Sequence, residues 1–190
     1  MKARAEAAAE TARRILSAAV ELWRERPLDE ITLQAIADRA GVTVQTVIRR
    51  FGSKEGIIAA CIEGDAAGIR SARDEAAVGD VKGALAVLLR HYERDGDAVL
   101  RGLDLEGRVE AARAVVEAGR AAHRAWCARV FAPFLPEPDS AAHTIRLDAF
   151  VAATDLYLWK LLRRDLGRST AETEQTLHVL LQGLMALPST

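Results

Sequence analysis

Hydrophobic positions recur at helical spacing along most of the chain, and alternating β-branched stretches are few, so the pattern predicts an all-helical protein. From Thr11 to Glu25, Ile15, Ala19 and Leu22 share a face with Leu16 and Trp23 beside them. Pro27 stops this first helix, because the residue before a proline avoids the helical region. Residues 1–10 carry no apolar core positions and read as a tail that frays or extends it. In TLQAIADRAGVTVQTVIRRF (32–51), Leu33, Ile36, Ala37 and Ala40 form a short helix behind the N-cap Thr32. Gly41 ends it, Val42 turns to the core, and Thr43 caps a second short helix, Val44 to Phe51, with Val47 and Phe51 facing inward. A further helix is predicted from Ser53 to about Ser71, followed by a polar break over Asp74–Asp80. That break sets the expected domains at 1–70 and 71–190.

The second part reads as helices throughout. Val81, Leu85, Leu88 and Tyr92 make one stripe, and Gly96, Gly102 and Gly107 punctuate a short helical link. A long helix over 109–132 places Val109, Ala112, Val116, Gly119, His123, Trp126 and Val130 on one face, ended by Pro133, Pro136 and Pro138. A single helix over 140–164 is apolar almost all round: Leu147, Phe150, Val151, Leu156, Leu158, Trp159, Leu161 and Leu162. The last helix opens with Ser169 and Glu172 at capping-box spacing and carries Leu177, Leu180, Leu181, Leu184 and Met185. These two helices have more apolar surface than one neighbour covers. Either they are the core of a larger C-terminal domain, or a twofold mate completes a four-helix bundle with them.

The stretch at 32–51 has helix-turn-helix chemistry. Val44, Gln45 and Thr46 point outward from the first turn of the second helix, as side chains that meet base edges must, and Arg49 and Arg50 follow within reach of phosphate. Lys54, in the first turn of the next helix, is unfavourable for the helix dipole unless a phosphate sits there. The candidate DNA-binding residues are therefore Thr32, Thr43, Val44, Gln45, Thr46, Arg49, Arg50 and Lys54. Two short helices around a glycine turn also occur in helical proteins that never touch DNA.

The flanks separate these readings. TARRILSAAVELWRERPLDEI lies upstream and GSKEGIIAACIE downstream, and the run from 11 to about 63 resembles the DNA-binding domain of the tetracycline-repressor (TetR) family. The matching positions are Ile15, Ala18, Ala19, Leu22, Thr32, Ile36, Ala37, Ala40, Gly41, Val42, Phe51 and Lys54. Pro27 stands where the family usually has glycine, Ile48 where it has an aromatic residue, mostly Tyr, and Arg50 where it often has His. Isoleucine has no donor, so one phosphate contact is lost, and Arg50 can replace it nearby. The resemblance implies a three-helix DNA-binding domain followed by a helical ligand-binding and dimerisation domain. It further implies a homodimer through the last two helices, a double-stranded operator, and a repressor released by a small molecule that shifts the helix after Phe51 and so changes the separation of the two recognition helices.

Half of the 190 residues are hydrophobic, enough for one core or two small ones, and the net charge is −1. Residues 1–54 hold 10 Lys/Arg against 7 Asp/Glu, a balance of +3 against −4 in the remainder, which suits a DNA-facing N-terminal domain on an acidic body. Cys61 and Cys127 lie far apart without metal spacing and read as reduced, buried small hydrophobes. No secretory leader or membrane helix is read, so a cytoplasmic protein is expected.

An enzyme is not expected, nor a metal or other cofactor: His91, His123, His143 and His178 lie on separate segments, with no nucleophile motif or phosphate loop. The remaining alternatives to a regulator are a helical ligand carrier and a dimeric adaptor without sequence-specific DNA binding. For the effector, His91, Tyr92, His123, Trp126, Asp155 and Tyr157 are candidates to line an apolar cavity with a few polar anchors. A histidine beside a tryptophan is also an ordinary core arrangement. Such a lining suits an apolar molecule carrying a hydroxyl or amine.

Overall fold

The computed structural model describes residues 2–61, 73, 75–104, 106–107 and 110–188, and among these all regular structure is helical. The expected boundary near residue 70, the far end of the helix from Ser53 and the start of the long helix at Val109 lie outside the described residues. Two compact units are present: one holds residues 1–67 and 97–116, the other 68–96 and 117–190.

In the first unit, α1 spans Lys2–Glu25. It begins well before Thr11, because the alanine-rich stretch at 2–10 has high helix propensity and only has to prolong an existing helix. A short 3-10 turn, Leu28–Glu30, follows Pro27. Next come α2 (Leu33–Ala40), α3 (Val44–Phe51) and α4, whose described part is residues 54–61. The core holds Ile15, Ala19, Leu22, Ile36, Ala37, Ala40 and Val47, as periodicity predicts, together with Ala18, Ile31 and Ile57, while Leu33 and Phe51 are partly buried against it. Arg101, from the stretch at 97–116, donates to the carbonyls of Trp23 at 2.9 Å and Arg24 at 2.6 Å. These are among the carbonyls that a helix end leaves open.

The second unit contains most of α5 (Val81–Leu103) and α6 (Glu110–Val130), then α7 (Ala141–Ala153), α8 (Leu156–Lys160) with a π turn at Leu161–Asp165, and α9 (Thr170–Met185). Its core is aromatic at the centre, with the Phe131 and Phe150 rings stacked 4.4 Å apart and Trp159 fully buried.

Two expectations are corrected. Gly96 and Gly102 do not interrupt a helix but lie inside α5, and Gly96 seats the buried Trp159 ring: a Cβ there would stand 2.6 Å from it. The ring is held by its Nε1–H, which donates to Glu93 at 2.8 Å, and Arg163 grips the same carboxylate at 2.6 and 2.9 Å. That grip holds the Glu93 carboxyl below the ordinary range, against a smaller opposing effect of burial. The helix expected over 140–164 is likewise two helices. It breaks at Thr154, whose hydroxyl turns back on the Phe150 carbonyl at 2.7 Å, and Asp155 caps the restart by accepting from the Tyr157 N–H at 2.8 Å.

Candidate nucleic-acid interface and interior polar cluster

Local chemistry fixes the helix-turn-helix. The Thr32 hydroxyl accepts from Ala35 N–H at 3.1 Å, and Thr43 does the same for Thr46 at 3.2 Å, so each short helix starts on a side-chain cap. Between them Gly41 adopts φ 64° and its N–H reaches back to the carbonyls of Ala37 and Asp38. Arg14 of α1 donates to the carbonyls of Ala40 and Gly41 across this turn. Glycine is required twice here: its φ is left-handed, and a Cβ would stand 2.9 Å from the Arg14 guanidinium. Gly41→Ala should lower unfolding stability by about 1–3 kcal/mol, measured by urea denaturation, with no change in the urea dependence of the transition.

This turn presents α3 with Val47 buried beneath it and Gln45, Ile48, Arg49 and Arg50 exposed, while Val44 and Thr46 are half-covered. Thr43 and Thr46 face each other through hydroxyls 3.0 Å apart. A surface groove of about 540 Å³ runs between Ala7, Ala8 and Thr11 of α1 and Thr46, Arg49 and Arg50 of α3. The two arginines make its α3 wall cationic, which suits a passing phosphate backbone. Lys54 is half-buried with its amine 3.5 Å from the Asp29 carbonyl, and burial lowers its pKa against the pull of the Asp29 carboxylate. The eight candidates thus fall on α3, the caps of α2 and α3, and the first turn of α4. Sequence reasoning misses both Arg14 and the inner wall of the groove. A basic residue in the first helix carries no sequence signal that separates a clamp on a carbonyl from a solvated charge.

The six effector candidates separate into two groups. His91, Tyr92, His123 and Trp126 lie in the interior of the second unit: the rings of His91 and Tyr92 are 5.6 Å apart, and those of His123 and Trp126 stack at 5.8 Å. Tyr157 is 56% exposed, and Asp155 is engaged at the helix cap. Packed against the first group are Arg73, Cys127 and Thr154. Arg73 Nη1 donates to His123 Nδ1 at 3.2 Å, because a guanidinium can only donate. His123 therefore carries its proton on Nε2 and donates it to Thr154 Oγ1 at 3.1 Å, which passes a hydrogen bond on to Phe150 O. The Tyr92 hydroxyl donates to the Thr154 carbonyl at 3.0 Å. Burial first, and then the Arg73 charge, push both His91 and His123 down to about 4, so both rings are neutral at pH 7. Burial raises the Tyr92 hydroxyl and pushes the Cys127 thiol up to about 11, leaving an unreactive thiol.

Among the described residues, no group of three or more His, Cys, Asp or Glu is placed to hold a metal ion, and no helix is long and apolar enough to cross a membrane.

Residues 15–61 match the profile described as bacterial regulatory proteins, tetR family. Compared with curated proteins, the sequence finds no match. Several solved structures share the fold of nearly the whole chain. A transcriptional regulator from Rhodococcus sp. Rha1 superposes with a TM-score of 0.69 at 16% identity, covering 93% of this chain and 99% of its own. The multidrug binding protein EbrR, complexed with imidazole, gives 0.60 at 17% identity over 94% and 91%. FadR of Thermus thermophilus, a TetR-family transcriptional repressor in complex with lauroyl-CoA, gives 0.57 at 22% identity over 94% and 97%. The helix-turn-helix at Leu33–Phe51 lies inside the matched segment, so residues 15–61 of this chain are similar in sequence and local fold to the DNA-binding segment of the tetR-family regulatory proteins.

Proposed function

We propose that the protein is a repressor that binds a near-palindromic operator as a homodimer and is released by a small molecule held in the second unit. The observation that carries the DNA reading is α3 itself: a helix capped by Thr43, seated on Val47, with Gln45 exposed in its first turn and Arg49 and Arg50 exposed in its last. Gln45 suits a base contact, since its amide can pair both edges of an adenine, and Val44 suits a thymine methyl. Arg49, Arg50, Lys54 and Thr32 suit phosphate. A mobility-shift assay against genomic fragments tests this division. Gln45→Ala should change base preference at one position, at about 1–3 kcal/mol, whereas Arg50→Ala should weaken all sequences alike and reduce the salt slope by about 1. A shift of preference in Arg50→Ala would reverse the roles.

The dimer reading rests on exposed apolar side chains along the last helices: Ile145 on α7, and Val179 and Leu180 on α9, with Leu187 just beyond. Each is exposed between 42% and 70%, while Leu147, Phe150, Leu177 and Leu181 on the same helices are buried. Two-sided apolar helices of this kind complete a bundle with a twofold mate. The effector reading rests on the cluster of His91, Tyr92, His123 and Trp126, and on the small molecules bound by EbrR and FadR. A ligand that binds the released form a hundredfold better shifts the balance by about 2.7 kcal/mol per site, enough to lower operator occupancy. Such a protein acts in the cytoplasm, where the operator is, and needs no catalytic machinery.

A further inference from the structure

Among the described residues, Arg73 is a charged side chain of the interior cluster whose charge no neighbour neutralises. It is 8% exposed, its Nη1 donates to the neutral His123 ring, and its guanidinium lies 5.4 Å from the Trp126 ring centroid. No carboxylate lies within ion-pair distance of it among the described residues, and its Nε–H has no partner among them. His91 Nδ1, also buried, has none either. The acid beside the cluster, Asp95, stands 4.0 Å from His91 Nε2 and is itself taken by Arg94 at 2.6 Å. Arginine cannot shed its proton, and a buried charge without a counter-ion is strongly disfavoured. Among the described residues, the interior of this unit therefore holds a positive charge without a counter-ion and two nitrogens without a partner, Arg73 Nε and His91 Nδ1, beside aromatic surface.

We propose that this cluster takes a small organic carboxylate, with Arg73 as the charge partner and His91 as a second hydrogen-bonding group. The proposal rests on the effector reading above and specifies its chemistry, replacing the hydroxyl or amine that the sequence suggested. A carboxylate fits better than a phosphate. A guanidinium pairs a planar carboxylate through two parallel N–H bonds, and the aromatic surface beside Arg73 suits an organic tail that inorganic phosphate lacks. Tyr92 and Trp126 give the rest of such a molecule an apolar lining, and the Tyr92 hydroxyl is already committed to the Thr154 carbonyl. Arg73 is a binding residue in this account, and Thr154 positions it through His123.

The test is a thermal-shift titration of the full chain with benzoate and hexanoate, each against its neutral amide and against inorganic phosphate, at constant ionic strength. In the wild type the carboxylates should raise Tm saturably, by roughly 5–10 °C at a hundredfold excess over Kd, while the amides and phosphate leave it unchanged. In Arg73→Met the carboxylate response should vanish. Equal responses to acid and amide in the wild type, or a stronger response to phosphate, would overturn the carboxylate assignment and leave an effector of other chemistry standing. Silence from all the probes in the wild type would overturn it too. An unchanged carboxylate response in Arg73→Met would remove Arg73 from the site. Should that variant not fold, the contrast between acid and amide in the wild type decides alone. Release of operator by any uncharged compound is a separate result, which bears on the effector reading and not on Arg73.

Discussion

Replacing Ile145 and Leu180 together by Glu should yield a folded monomer that has lost specific DNA binding. Both side chains are exposed, at 70% and 42%, so the change leaves the core of the unit, centred on Phe131, Phe150 and Trp159, untouched. Placed in a twofold interface, however, each carboxylate would be desolvated opposite apolar surface without a partner, and the pair would enter twice. A single helix-turn-helix engages one half-site, so operator affinity should fall by roughly 10³-fold or more, towards non-specific binding. Light scattering and a binding titration on the same sample separate the effects. A monomeric wild type at micromolar concentration would sink the dimer reading, and a dimeric double variant would move the interface elsewhere.

Acid should destabilise the protein well before its carboxylates titrate. His91 and His123 have folded-state values of about 4, against an ordinary value near 6.5 in the unfolded chain. Between these limits the unfolded state binds more protons than the folded one, so stability falls as pH drops from about 6.5 towards 4, and the two rings add no pH dependence above that window. Each ring alone corresponds to roughly 3 kcal/mol over the full interval. Because both feel Arg73 and lie in one cluster, the two contributions are not additive. Urea midpoints at a series of pH values between 7.5 and 5 would read this slope, and replacing both histidines by Gln should flatten it. A wild-type midpoint constant across that range would mean that the two rings are solvated.

The N-terminal domain was legible in the sequence because its determinants are local. Thr32, Gly41 and Thr43 act within a few residues of themselves, and the stripe from Ile15 to Leu22 has no competing period. The second unit was legible only as helices. Trp159 packs on Gly96 across 63 positions of sequence, and such a contact makes a glycine look like a break when it is a seat for a ring. Thr154 and Asp155 end one helix and begin another inside an apolar run, and hydrophobic periodicity does not report a backbone hydrogen bond made by a threonine. The clustering of His91, Tyr92, His123 and Trp126 was legible because aromatic and titratable residues on apolar faces announce themselves. Arg73 was not, since its neighbours in sequence are charged and polar and only the fold buries it.

On the proposed reading, α3, presented twice by a symmetric dimer, recognises a specific duplex sequence. Selection of bound duplexes from a random pool, followed by sequencing, tests it with no operator sequence assumed. The account predicts one enriched motif made of two inverted half-sites, with centres about one helical turn or somewhat more apart, which Gln45→Ala alters at a symmetric pair of positions. Enrichment of no motif, or of a single asymmetric site indifferent to Gln45→Ala, would contradict it.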